Sequence, residues 1–138
     1  MTTASPLSAA LARVGDRWSL LIVDALLDGP RRFNELQEAV EGIAPNILSR
    51  RLSDLERQGV LSTTPYTTRP LRVTYELTAA GEELASALRL LAQWGSAYAG
   101  EASAIRHEAC GTPVQARWHC PTCGRTLEDG EASDLSYV

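Results

Sequence analysis

The sequence predicts a mainly α-helical protein with one small β-hairpin, an α+β chain that carries a short C-terminal appendage. Three observations favour this class. Apolar residues recur every three to four positions through most of the first hundred residues, the period changes to two only between residues 60 and 77, and all three cysteines lie after residue 109. With 138 residues, 44% of them hydrophobic, the chain can form one core but not two full domains.

The first two predicted helices are separated by a glycine. Leu7, Leu11 and Val14 lie at helical spacing, and the apolar pattern breaks near Gly15 before it resumes. We expect the second helix to end at Gly29-Pro30, because glycine suits a helix C-cap and proline cannot continue a helix.

A short third helix is predicted from Phe33, Leu36 and Val40, which share one face, and Gly42 stops it. The next helix is expected to begin at Pro45, because the amide that proline lacks would have no partner in the first turn of a helix. The two short helices are therefore joined by a tight turn.

The fourth helix, predicted to run from Pro45 to Gln58, is amphipathic. Leu48, Leu52 and Leu55 define its buried stripe, and Gly59 closes it. Its opposite face is polar and locally basic, and it carries Asn46, Ser49, Arg50, Ser53 and Arg57, with Arg51 on the flank.

Alternating apolar and polar residues from Val60 to Leu77 predict a β-hairpin with its tip near Thr67-Thr68-Arg69-Pro70. Thr78 is expected to cap a long final helix that runs to about Ala104. The apolar stripe of this helix consists of Leu84, Leu88, Leu91 and Tyr98.

The net charge of −4 argues against nucleic-acid binding, but its distribution does not. Residues 43–72 contain five arginines and two acids, whereas residues 101–138 contain six acids and three arginines. No stretch approaches the ~18 apolar residues of a membrane span, and no secretory signal precedes the first helix. We therefore expect a cytoplasmic protein without membrane association.

The order of elements is that of a winged helix-turn-helix, in which the second helix of the motif enters the major groove of double-stranded DNA. Groove recognition needs short hydrogen-bonding side chains and cations on that helix, and a basic residue at the hairpin tip can reach phosphate or the minor groove. The predicted DNA-binding residues are Pro45, Asn46, Ser49, Arg50, Arg51 and Arg69.

The chain also resembles a known family over residues 5 to about 95. The matching strings are GDRW followed by SLLIVDALLDGPRRFNEL, then IAPNILSRRLSDLERQGVL, then RVTYELTAAG. These strings resemble the HxlR-type regulators, a branch of the winged-helix transcription factors in the wider MarR-like group. The resemblance implies a homodimer formed by the first and last helices, with the helix at Pro45–Gln58 reading DNA and the Leu61–Leu77 hairpin as the wing.

One position departs from that family. Many HxlR-like proteins have a thiol-sensing cysteine just before the first helix, where this chain has Ser5-Pro6-Leu7. Thiol sensing at that place is therefore not expected. Trp18 and Trp94 are interpreted as anchors of the core or the dimer interface, and the effector, if there is one, is unknown.

The C-terminal segment contains two similar strings, HEACG at residues 107–111 and CPTCG at residues 120–124. Each contains two metal-ligand side chains with two residues between them and a glycine directly after the second. We therefore expect a Cys3His knuckle in which His107, Cys110, Cys120 and Cys123 hold one structural zinc ion per chain. His119 is a rival ligand, but its position beside Cys120 fits less well.

These patterns predict a winged-helix domain at residues 1–105, a knuckle at 106–126 and a mobile tail at 127–138. The alternative function is a redox-sensing or protein-interaction module that uses the Cys120/Cys123 pair on a winged-helix scaffold. An enzyme is not expected, because the sequence offers no nucleophile with a positioned base and no phosphate-binding glycine loop.

Overall fold

The computed structural model describes residues 4–99, 105–128 and 135. The predicted elements occur in the predicted order, but three short strands are added and the last predicted helix is divided in two. They are α1 (Pro6–Val14), α2 (Arg17–Leu26), β1 (Arg31–Arg32), α3 (Phe33–Ala39), α4 (Pro45–Arg57), β2 (Leu61–Thr68), β3 (Leu71–Leu77), α5 (Ala79–Glu82), α6 (Ala85–Tyr98), β4 (Trp118–Cys120) and β5 (Arg125–Leu127).

Side-chain caps begin the first two helices. The Ser5 hydroxyl accepts a hydrogen bond from the Ser8 amide at 3.1 Å, and the Asp16 carboxylate accepts one from the Ser19 amide at 3.0 Å. Gly15 lies between the two helices, as the break in the apolar pattern predicted. Gly15 ends the first helix and Asp16 caps the second, so the chain starts a separate helix there instead of continuing the first.

The predicted hairpin is confirmed, and a third strand extends it. β2 and β3 pair antiparallel from Leu61↔Leu77 to the tip, with a register shift between Pro65 and Thr67. β1 adds to the outer side of β3 through Arg31↔Tyr75, so the strand order is β1-β3-β2. The sequence did not predict β1, because two residues are too few to show a strand period.

The core lies among α2, α3, α4 and the start of β2. Its largest fully buried side chains include the apolar stripe predicted for α4, which is confirmed. These fully buried residues are Ile22, Leu36, Leu48, Leu52, Leu55, Leu61 and Val23.

The predicted single helix from Thr78 onward is wrong, because the chain forms α5 and then α6 with a turn between them. Thr78 caps α5, as predicted, its hydroxyl donates to the Gly59 carbonyl at 2.6 Å, and its amide donates to the Val60 carbonyl at 3.0 Å. Gly81 packs so closely that an added Cβ would lie 2.2 Å from that carbonyl oxygen. These contacts tie α5 to the start of β2. Residues 100–104 of the predicted helix lie outside the described residues.

The chain divides into two compact units, Met1–Leu90 and Leu91–Val138, so the division falls within α6. The sequence had placed its domain boundary later, after residue 105. The predicted mobile tail lies largely outside the described residues. No described helix is long and apolar enough to cross a membrane.

The C-terminal unit contains two short antiparallel pairings. β4 pairs with β5 from Trp118↔Leu127 to Cys120↔Arg125, and an isolated bridge joins Arg106 to Pro113. None of the side chains described between residues 105 and 128 is buried. This segment therefore has hydrogen-bonded hairpins but no core of its own.

Candidate functional site

The polar face of α4 is exposed to solvent because the opposite face of the helix is buried in the core. Pro45 begins the helix after the extended residue Ala44, and the Leu48 amide donates to the Ala44 carbonyl at 3.0 Å. The predicted groove-facing residues of α4 are exposed with the exception of Arg51, which is half-buried. The exposed members are Pro45, Asn46, Ser49 and Arg50.

Arg51 makes two ion pairs, one with Asp16 at the start of α2 and one with Asp54 of its own helix, α4. Its Nε lies 3.4 Å from Asp16 Oδ1, and its Nη1 lies 3.5 Å from Asp54 Oδ2. The guanidinium side chain is 32% exposed, and its buried Nε makes no hydrogen bond within the described part of the chain. The contact with Asp16 is therefore an ion pair without hydrogen-bond alignment.

The same contacts set the ionisation of Asp16. Burial acts to raise the pKa of this carboxyl, but hydrogen bonds from the Ser19 hydroxyl and amide and the charge of Arg51 outweigh it, so the pKa lies below its usual value. The Ser19 hydroxyl, which is buried, donates to Asp16 Oδ2 at 2.5 Å. Asp16 thus caps α2 and also forms an ion pair with Arg51 of α4.

Three arginines of α4 differ in their partners. Arg57 is ion-paired with Asp54, which also contacts Arg51. Arg50 is exposed, and no ion pair or hydrogen bond of its side chain occurs among the residues that the structure describes. The free positive charge of this face is therefore concentrated at Arg50.

The hairpin carries further exposed cations. Arg69 lies at the tip, where the Arg69-Pro70 peptide bond is cis, and Arg72 lies at the start of β3. The guanidinium of Arg32 stacks over the Tyr66 ring at 4.5 Å. A surface cleft of about 400 Å³ between the start of α3 and the hairpin is bordered by Arg32, Tyr66 and Arg72.

The first predicted ligand pair lies at a turn of the C-terminal unit. His107 Nδ1 is 3.3 Å from Cys110 Sγ, which is also 3.2 Å from Thr112 Oγ1. Hydrogen bonds from Thr112, and to a smaller extent from His107, lower the pKa of the exposed Cys110 thiol.

The second pair lies at the β4–β5 turn. The Cys123 amide donates to Cys120 Sγ at 3.5 Å, and this contact is the main cause of the lowered pKa of Cys120. The pKa of Cys123 is raised by its hydrogen bond with Cys120 and by the charge of that neighbour. Both thiols are free.

The structure thus brings each predicted ligand pair together, but not all four ligands. Across residues 4–99 and 105–128, no group of three or more histidine, cysteine, aspartate or glutamate side chains is close enough to hold a metal ion. The single zinc site stays a prediction.

Apolar side chains remain uncovered on the first and last helices. On α1, Leu7 is 64% exposed and Leu11 is 52% exposed. On α6, Leu91, Trp94 and Tyr98 lie at three- and four-residue steps and are more than half exposed. Trp18, by contrast, packs against the core.

Two contacts of the site escaped the sequence prediction, the ion pair of Asp16 with Arg51 and the stacking of Arg32 on Tyr66. The sequence does indicate a helix start at Asp16, because aspartate is a common N-cap residue and the Ser19 amide donates to it. No local pattern indicates that Asp16 pairs with Arg51. The stacking of Arg32 on Tyr66 joins residues far apart in the chain and has no local signal.

Comparison with known proteins agrees with the element order. The family model described as HxlR-like helix-turn-helix matches residues 13–103. An uncharacterized HTH-type transcriptional regulator of Mycobacterium tuberculosis is 38% identical over 122 residues, which cover 86% of this chain and 77% of the relative. The HTH-type transcriptional regulator YodB of Bacillus subtilis is 30% identical over 97 residues, covering 70% of this chain and 87% of YodB.

Solved structures show the same similarity. A Pseudomonas aeruginosa protein proposed to be a transcription factor (PA1374) has a TM-score of 0.67 and 36% identity, and the match covers 92% of this chain and 88% of that one. The redox regulator HypR in its reduced form has a TM-score of 0.64 and 28% identity, over 69% of this chain and 94% of its own. The chain therefore belongs to the HxlR-like helix-turn-helix family and is a transcriptional regulator of the helix-turn-helix type.

Proposed function

We propose that this regulator binds specific double-stranded DNA as a homodimer, with α4 in the major groove and the β2–β3 hairpin as the wing. The observation that carries the proposal is the division of α4 into two faces. Leu48, Leu52 and Leu55 hold one face in the core, so Asn46 and Arg50 lie on the face directed to solvent. A B-form major groove admits one α-helix, and amide and guanidinium groups match the edges of adenine and guanine.

The ion pairs support different roles for the arginines of α4. Arg50 is exposed and unpaired within the described residues, which suits contact with a base or a phosphate. Arg51 was predicted to contact DNA, but its ion pairs with Asp16 and Asp54 suit a positioning residue that sets the orientation of α4. We therefore place direct DNA contact at Arg50 and indirect action at Arg51.

The test is DNA binding by the full chain to the DNA that flanks its own coding region, located first by footprinting. Arg50→Ala is expected to weaken binding by about 1–3 kcal/mol, or roughly 5- to 150-fold, if Arg50 reads a base. Arg89→Ala is the matched control, because Arg89 is an exposed arginine on α6 and not on α4. Equal binding by both variants and the parent at one salt concentration would contradict the assignment of α4.

The wing is tested through salt dependence. Arg69 lies at the exposed hairpin tip, where a cation can approach the sugar–phosphate backbone. Arg69→Ala is expected to reduce the slope of log affinity against log salt by about one, with little change in sequence preference. An unchanged slope would show that the hairpin tip does not contact the DNA backbone.

The homodimer is supported by the uncovered apolar residues of α1 and α6. A monomer would leave Leu7, Leu11, Leu91 and Trp94 in water, and paired apolar faces are a common basis of two-fold interfaces. The dimer would present two copies of α4, which fits an operator with two half-sites about one helical turn apart.

A second candidate function uses the Cys120/Cys123 pair as a redox sensor. Both thiols are free, they are held at one turn, and the pKa of Cys120 is lowered. The structural relatives include the redox regulator HypR. Oxidation by diamide would join the two sulfurs in a disulfide, and two electrons and two protons would pass to diamide. DNA affinity that is unchanged by diamide, or retained after thiol blocking, would argue against this candidate.

A further inference from the structure

We propose that the two C-terminal turns together bind one Zn²⁺ per chain through His107, Cys110, Cys120 and Cys123. The site lies wholly within the C-terminal unit, so it goes beyond the DNA-binding function proposed for the winged helix. It would act as a structural cross-link between the two turns, because four protein ligands leave no coordination position for a reacting water.

The first support is a backbone geometry that the two turns share. The Gly111 amide donates to the His107 carbonyl at 2.7 Å, and the Gly124 amide donates to the Cys120 carbonyl at 2.9 Å. Both glycines are left-handed, with φ of +70° and +67°. Each turn therefore closes in the same way, with a ligand at its first position and another three residues later. This repetition fits two halves of one tetrahedral site.

The second support is the absence of a core around these turns. Within residues 105–128 no described side chain is buried, and Trp118 is 68% exposed. An isolated two-stranded hairpin is marginally stable in water, and the strands here are three residues long. A metal cross-link supplies the stabilisation that such a small segment cannot obtain from apolar burial.

The ligand set follows from the positions of the two histidines. His107 Nδ1 faces the sulfur of Cys110 at 3.3 Å, so this nitrogen and sulfur already form a pair. His119 lies next to Cys120 in β4, where successive side chains point to opposite faces. His119 is therefore directed away from the face that carries Cys120, and His107 is the better fourth ligand.

Metal binding requires the two turns to approach each other, since no three of the ligands are close together in the described structure. The three thiols are free, and Cys110 and Cys123 are exposed, so ligation needs a movement of hairpins and not the opening of a core. All four ligands lie within residues 107–123, so metal binding would close only a short loop and the loop-closure entropy lost would be small.

The experiment is metal analysis of the full chain purified under reducing conditions and reconstituted with Zn²⁺, followed by dialysis. We expect close to one zinc per chain, and its loss in Cys120→Ser/Cys123→Ser, in Cys110→Ser and in His107→Ala. His119→Ala is the matched control and should keep the metal. Substitution with Co²⁺ should give the intense visible absorption of a tetrahedral thiolate site, and reactive thiols should appear only after chelation.

Far-ultraviolet circular dichroism of each variant checks that the winged-helix unit is folded, which separates loss of the site from loss of the protein. A zinc content near zero after reconstitution would overturn the proposal. So would full retention of zinc by Cys120→Ser/Cys123→Ser, or loss of zinc from His119→Ala together with retention by His107→Ala.

Discussion

Arg51 on α4 and Asp16 at the start of α2 form an ion pair, with Nε 3.4 Å from Oδ1. The same carboxylate caps α2 by accepting from Ser19. The Asp16 carboxylate therefore caps α2 and also forms an ion pair with α4. These two contacts link the position of α4, the proposed recognition helix, to the α1–α2 junction.

The charge of Asp16 is expected to stabilise the folded protein in a pH-dependent way. Asp16→Asn keeps a good N-cap but removes the charge facing Arg51, which should cost roughly 0.5–1 kcal/mol at neutral pH. The folded-state pKa of Asp16 is lowered, so its contribution is complete above the unfolded value of about 3.9 and is lost as the pH falls through the folded value. Urea unfolding of both proteins between about pH 3 and 7 measures this, and a constant difference down to pH 3 would contradict it.

Arg50 and Arg51 are expected to differ in their effects on stability. Arg51→Ala removes two ion pairs and leaves Asp16 without its partner, so the free energy of unfolding should fall by roughly 1 kcal/mol. Arg50→Ala removes an exposed side chain and should change stability by less than about 0.5 kcal/mol. Arg51→Lys should recover part of the loss. Equal destabilisation by Arg50→Ala and Arg51→Ala would contradict the proposal that Arg50 contacts DNA while Arg51 positions α4.

Gly81 is expected to tolerate no side chain. A Cβ at this position would lie 2.2 Å from the Val60 carbonyl oxygen, so Gly81→Ala must shift α5 away from β2 and should cost about 1–3 kcal/mol. Gly95→Ala is the control, because Gly95 lies inside α6 and a Cβ there would meet no described atom within 4 Å beyond its chain neighbours and the backbone of its own helix. It should stabilise the protein by up to about 1 kcal/mol. Thermal unfolding compares the two, and a neutral Gly81→Ala would show that the approach of α5 to β2 is not tight.

The apolar face of α6 is expected to control the oligomeric state. Leu91 is 52% exposed, and Leu91→Arg should weaken self-association at least about tenfold by placing a charge where an apolar interface is proposed. Gln93→Arg adds the same charge to an exposed polar position of the same helix and should leave the dimer intact. Sedimentation at micromolar concentration measures both. A parent protein that is monomeric there would refute the dimer proposal.

Much of the fold could be predicted because its signals are local. Gly15, Thr78 and Gly59 mark helix ends in the sequence, and the burial of Leu48, Leu52 and Leu55 was read from their spacing. The same spacing placed Asn46 and Arg50 on the exposed face of α4, as observed. The two C-terminal turns could be recognised because ligand pairs followed by glycine are also a local pattern.

The sequence by itself determined which residues start helices, which face of α4 is buried and where the hairpin turns, because those properties depend on neighbours a few positions apart. Only the tertiary structure decided that Arg51 pairs with Asp16, that β1 joins β3, and that the close approach of Gly81 to Val60 anchors a separate α5. Those contacts join residues that are distant in the chain, and their partners are selected by the packing of whole elements around the core. Local spacing carries no information about that packing.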